Sequence, residues 1–190
     1  MTNPENKDAR TELIVKLYEL FRQRGYEGVS IGDISEATGL GRSSLYHHFP
    51  GGKDEMAEAV IAFTREALDG TVFAALRGAD PVDKRIDAML AEVRRVYSGG
   101  ATPCVLAALL NGAPDSALVQ ATMRLFAEWS TILAQTLEEG GLSAPEARRR
   151  SRAMLSLLQG GLVMTRALKD KSVFDESLKL ARTMLLADLT

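Results

Sequence analysis

Cysteine is almost missing: Cys104 is the single one in 190 residues. That excludes an intramolecular disulfide framework and, with no ligand cluster beside it, a cysteine-based zinc site. No apolar run approaches the roughly 20 residues needed to span a bilayer, and the start, MTNPENKDAR, lacks the apolar stretch of a signal peptide. A cytoplasmic protein with no membrane role is expected. Charge of one sign is also lacking, since 23 basic against 25 acidic residues leave a net charge of −2. No strand-like alternation and no internal repeat stand out. Gly52-Lys53 lacks the upstream glycine of a phosphate-binding loop, Gly39-Leu40-Gly41 follows a helix instead of a strand, and no nucleophile, base and orienter come together in the pattern. An enzyme, a cofactor and a metal site are therefore not expected.

What is present is helical periodicity. Ser30 with Asp33 three residues on makes a capping-box-like start, so a helix is predicted from Ile31, with Ile34 and Ala37 on one face. Gly39 supplies the permissive backbone of a helix end, Leu40 fills the corner, and a second short helix runs from Arg42 to Phe49. Pro50-Gly51-Gly52 stops it. This is a helix-turn-helix layout. At about 100° per residue, Leu45 and Phe49 point together into the core. Ser43 and His47 point away from it, Ser44 and Tyr46 lie on the flanks, and Arg42 is at the exposed start. This outer face is small and polar enough for a DNA major groove.

The rest of the chain carries amphipathic stripes. A helix is predicted over 7–25 with Leu13, Leu17 and Phe21 apolar, and a long one over 53–77 in which Gly70 can weaken or bend the run. Asp80 as N-cap and Pro81 at the first position open the next, with Ile86, Met89, Val93 and Tyr97 in its stripe. A short helix over 102–111 contains Cys104 and is closed by Gly112 and Pro114. Another spans 115–139, beginning at Asp115. Ser143 and Glu146 form a predicted capping box for a helix to about residue 169, within which Gly160-Gly161 implies close backbone approach to another helix. Ser172 with Asp175 opens the last helix, apolar over a wide arc from Phe174 to Leu186.

Several features have a plain alternative. His47 and His48 are helix neighbours and cannot chelate one ion. Arg148, Arg149, Arg150 and Arg152 fit a solvated helix face. Cys104 fits buried packing. Met89, Met123, Met154, Met164, Phe126 and Trp129 suit a pliable apolar pocket, and suit an ordinary core equally.

The segments LFRQRGYEGVSI, DISEATGL and SLYHHF, with Lys53-Asp54 just beyond, resemble the DNA-binding domain of the TetR/AcrR family of bacterial transcriptional regulators over residues 10–61. The resemblance implies an all-α fold, with an N-terminal three-helix bundle containing the helix-turn-helix (8–52) and a C-terminal helical ligand-binding and dimerisation domain (53–190). It implies a homodimer on a palindromic double-stranded operator, released by a small-molecule effector. Carried over residue by residue, Arg42, Ser43, Ser44, Tyr46 and His47 fall on the recognition helix and Lys53 on the lysine near phosphate. From Phe49 to Lys53 this chain is one residue longer than the family commonly is. A Pro-Gly-Gly linker recurs in a branch with multidrug-type ligand domains.

Seven basic residues up to Lys53 (Lys7, Arg10, Lys16, Arg22, Arg24, Arg42 and Lys53) face seven acidic ones (Glu5, Asp8, Glu12, Glu19, Glu27, Asp33 and Glu36). Phosphate attraction must then come from a few placed cations and not from a general positive field. Arg42 is expected on guanine, Ser43, Ser44 and His47 on base edges, and Tyr46 and Lys53 on phosphates. The effector site is expected among Met89, Val93, Tyr97, Cys104, Phe126, Trp129, Met154 and Leu158. The function read from these features is a ligand-responsive dimeric regulator, a repressor. The alternatives are a DNA-binding regulator without small-molecule gating, and a helical enzyme or carrier.

Overall fold

Helix forms in every predicted helical segment of the computed structural model, which describes residues 4–111 and 116–189, although the run predicted over 53–77 is divided. The elements in order are α1 (Pro4–Arg24), α2 (Ile31–Thr38), α3 (Arg42–His48), α4 (Gly52–Leu68), a π-helical turn (Asp69–Phe73), α5 (Ala74–Leu76), α6 (Val82–Val96), a 3-10 turn (Ser98–Gly100), α7 (Val105–Leu109), α8 (Ala117–Glu139), α9 (Ala144–Leu168) and α10 (Ser172–Leu186). No strand occurs among the described residues. Gly112, Pro114 and Asp115, the expected punctuation between α7 and α8, lie outside them.

The chain packs as two compact units, residues 1–65 with 105–123, and residues 66–104 with 124–190. In the first, Leu17 and Phe21 of α1, Ile34 of α2, Leu45 and Phe49 around α3, and Met56 and Val60 of α4 are all buried. The apolar stripe of α1 also packs against α7, where Leu106 and Leu109 are buried. On α2 the buried partner of Ile34 is Thr38, not the expected Ala37, which is exposed. Thr38 sits one full turn on and meets its polar need by donating to the Ile34 carbonyl at 2.7 Å.

In the second unit the run after α4 does not simply bend at Gly70. It widens into a π turn, a form that leaves one extra residue in the spiral. Asp69 and Arg77 pair across the turn at 2.6 Å, and Phe73 meets Trp129 of α8 edge-on at 6.2 Å between ring centres. Two buried arginines satisfy helix ends. Arg85 donates to the Leu76 carbonyl at 2.9 Å and to Glu139 at 2.6 Å. Arg150 donates to the carbonyls of Met184 (2.9 Å) and Ala187 at the end of α10, and to Glu146 and Asp188. Two bidentate pairs, Arg94 with Asp175 and Arg182 with Asp87, tie α6 to α10.

Three predicted caps differ. α6 starts one residue late with no side-chain bond from Asp80. Ser143 stands at the N-cap of α9 but makes no side-chain capping bond, and the Glu146 carboxylate that would complete the box turns to Arg149 and Arg150. At α10 the Ser172 amide donates to Asp170 at 2.9 Å, while Asp175 is taken by Arg94. In each acidic case a charged partner outbids a lone backbone N–H.

Candidate nucleic-acid interface

The reading head begins with a true capping box. Asp33 N–H donates to Ser30 Oγ at 3.1 Å, and Ser30 N–H donates back to the Asp33 carboxylate at 2.8 Å. Arg24, at the end of α1, donates to the same carboxylate at 2.8 Å. The Ser30 bonds and this guanidinium hold Asp33 below the usual carboxylate range. α2 ends at Gly39, whose φ of 76° is left-handed and whose N–H reaches the Ser35 carbonyl. Lys16 of α1 donates to the Thr38 carbonyl at 3.3 Å, adding a cation where the helix end is negative.

α3 then hangs on two buried side chains. Leu45 and Phe49 are fully buried, and the Arg10 guanidinium lies 4.8 Å over the Phe49 ring. That anchoring turns Arg42, Ser43, Ser44, Tyr46 and His47 outward, and all five are exposed. Among the described residues no hydrogen bond or ion pair engages any of their side chains. His48 is half-buried, its ring 5.8 Å from that of His47, and no group able to hold a metal ion is found among the described residues. Gly52, at φ 68°, closes the linker, and a Cβ there would lie 3.4 Å from the Tyr46 ring.

The cations are not distributed as sequence alone suggests. Arg10 faces Glu55, Arg22 pairs with Glu19, Arg24 with Asp33, and Lys16 and Lys53 hold backbone carbonyls. Of the cations in this head whose side chains are described, Arg42 alone has no described partner. It stands at the start of α3 with the free hydroxyls of Ser43 and Ser44 beside it. Sequence reasoning missed the supporting roles of Arg10, Tyr26 and Asp54, because all depend on contacts made many residues away.

The residues expected at an effector site divide sharply. Met89, Val93, Tyr97, Cys104, Trp129, Met154 and Leu158 are all buried. The Tyr97 hydroxyl contacts the Cys104 sulfur at 3.4 Å. Phe126 is half-buried and lines an open groove of about 880 Å³ between α8 and α9, with Ser130, Leu155, Arg148 and Arg152. Met123 and Met164 are exposed. Trp129 Nε1 and Thr165 Oγ1 are buried with no hydrogen-bond partner among the described residues.

A short helix held by two core anchors behind a capped helix and a left-handed turn, bearing unengaged polar side chains, makes this a helix-turn-helix regulator of transcription. The comparisons give the particular family. The profile for bacterial regulatory proteins of the tetR family matches residues 13–60, and that for the C-terminal domain of LmrA/YxaF-like transcriptional regulators matches residues 79–179. The chain belongs to the TetR family of bacterial transcriptional regulators, with an LmrA/YxaF-like C-terminal domain. It is similar to the uncharacterized HTH-type regulator YxaF of Bacillus subtilis, at 25% identity over 87% of this chain and 88% of that one. The HTH-type regulator LmrA of the same organism is 24% identical over 87% and 90%. A TetR regulator from Chloroflexus aurantiacus has the same fold, with a TM-score of 0.82, 19% identity and 98% of each chain covered. The family is not enzymatic, and no described helix is long and apolar enough to cross a membrane.

Proposed function

We propose that this regulator is a homodimeric repressor that reads a palindromic operator with α3 and leaves it when a small apolar or aromatic effector binds the second unit. The observation that carries the DNA-reading part is the unengaged outer face of α3. Arg42 meets guanine, Ser43, Ser44 and His47 reach other base edges, and Tyr46 holds a phosphate. Two such heads address half-sites roughly 34 to 36 Å apart, or a multiple of that. Selection of bound fragments from genomic DNA tests this, with one enriched palindrome expected. No enriched sequence would overturn the reading of a specific operator by α3.

Support for a second copy comes from α9 and α10. Ala153, Leu157 and Gly160 of α9 line an exposed apolar groove with Leu180 and Met184 of α10, and the exposed Met164 and Leu168 continue the α9 stripe at helical spacing. Beyond its own stretch of helix, Gly160 has no described atom within 4 Å of where a Cβ would stand. A facing helix of a second copy has room to approach there. A concentration-independent monomer in sedimentation would sink the dimer.

The effector reading rests on the interior of the second unit. A buried indole N–H and hydroxyl without partners are costly in a closed core, and favour a guest that carries an acceptor. Thermal-shift screening with cationic dyes, flavonoid-like aromatics and fatty acyl compounds tests it. A stabilising compound must also release the operator. Silence across the panel favours a regulator without small-molecule gating.

A further inference from the structure

Lys53 is the second residue of α4, and its side chain runs back to the turn that follows α1. Its Nζ donates to the carbonyls of Tyr26 at 3.2 Å and Val29 at 3.0 Å, and lies 4.0 Å from the centre of the Tyr26 ring. The next residue, Asp54, accepts the Tyr26 hydroxyl. Two adjacent residues of α4 thus grip one tyrosine by its carbonyl, its face and its phenol tip. Val29, at the other end of the grip, is buried and directly precedes Ser30, the cap of α2.

An ammonium has three N–H donors. Two are spent on the Tyr26 and Val29 carbonyls, and the charge faces an aromatic ring. That leaves at most one N–H for a DNA phosphate unless a carbonyl is displaced. The tyrosine is equally committed: burial and the neighbouring Asp54 push its hydroxyl up to about 12, so it remains a donor throughout the working range of pH.

We propose that Lys53, with Asp54, is a positioning residue: it clamps Tyr26 and sets where α2 and α3 stand against α4, acting on operator recognition through geometry and not through a phosphate contact. The proposal rests on the DNA-reading function above. α3 itself is joined to α4 only through Phe49–Gly52, ending in a left-handed glycine, so it needs this second tether to hold its angle. Since α4 runs on to Leu68 without a break, a displacement along it reaches Lys53 and Asp54 in its first turn, and through Tyr26 reaches the start of α2.

The test uses the full chain and an operator fragment recovered by genomic selection, with affinity measured across a salt series. Lys53→Met keeps the stem and removes the ammonium. The clamp predicts about tenfold weaker operator binding, unchanged affinity for unrelated duplex DNA, and an unchanged salt slope. Tyr26→Phe keeps the ring and loses the bond to Asp54, and should weaken operator binding by a smaller factor. The double variant should lose less than the product of the two, as coupled residues do. A phosphate contact predicts instead a slope shallower by about 0.9 per protomer, equal weakening on all DNA, and a silent Tyr26→Phe; that pattern overturns the proposal. So does a Lys53→Met protein with no change in either affinity. Should Lys53→Met melt the head, Lys53→Arg decides: a phosphate site tolerates it, whereas the planar guanidinium fits two carbonyls and a ring poorly and the operator is lost at full salt slope. If the wild-type chain selects no operator, the DNA-reading function fails before the clamp is tested.

Discussion

The outer face of α3 and the interior of the second unit hold the residues expected to carry function in opposite ways. On α3 the anchors Leu45 and Phe49 are sunk in the core and the five residues proposed to read DNA stand outside, unengaged. In the second unit Met89, Val93, Trp129 and Met154 are themselves the core. A surface that reads DNA is separated from packing by angle alone, because burial and function fall on different sides of one helix. A ligand pocket in a helical bundle uses the same apolar residues, at the same spacing, as the core around it.

The sharpest way to break this contrast is Trp129→Ala. Trp129 is fully buried and edge-packed on Phe73, so its loss should cost about 3 to 5 kcal/mol in chemical denaturation. A cost below about 1 kcal/mol would mean that the indole lines open space and not a packed interior. On the other side of the comparison, Arg42→Ala should leave the melting temperature unchanged and weaken operator binding by about 1 to 3 kcal/mol, with relaxed preference at one base position. His47→Ala should shift preference at another. Uniform loss on all DNA from Arg42→Ala would move it from base reading to phosphate binding.

Two adjacent glycines repeat the contrast on a smaller scale. Gly161 abuts α10, where an added Cβ would meet Ser177 Oγ at 2.8 Å, whereas Gly160 faces nothing. Gly160→Ala should raise the stability of the fold by up to about 1 kcal/mol through helix propensity. Gly161→Ala should lose that gain and more, with overpacking of about 1 to 3 kcal/mol. Equal effects on stability would erase the distinction between an internal contact and an open one. Gly160→Leu should then loosen the dimer in sedimentation while the monomer stays folded.

Local signals explain which parts of the molecule were legible. Ser30, Asp33, Gly39 and the 3.6-residue spacing of Leu45 and Phe49 act within a few residues, so the start of α2, the turn after it and the outward face of α3 follow from sequence. Gly160-Gly161 announced a close helix contact, but only packing shows that one glycine makes it. Lys53 was matched to a phosphate-near lysine by its place in the pattern; the carbonyls it holds lie 24 and 27 residues earlier. Arg150 looked like one charge of a solvated run, yet it is buried and closes a helix end 34 residues on. Long-range polar pairing leaves no period in a sequence.

The smallest expected effect concerns a cap that did not form. Ser143 and Glu146 have the spacing of a capping box, but the Glu146 carboxylate is drawn to Arg149 and Arg150, and hydrogen bonds from these guanidinium groups hold it at about 2, below its ordinary 4.5. A carboxylate depressed in the folded state stabilises fully above its unfolded value, and that stabilisation fades as pH falls from about 4.5 towards 2. Glu146→Gln removes the titrating group. Its stability should therefore fall less steeply than that of the wild type across this window, with the two curves differing most at neutral pH. The difference stays small because Arg150 keeps the Met184 and Ala187 carbonyls and Asp188 as acceptors. Parallel curves would mean that the guanidinium groups do not hold Glu146 in solution.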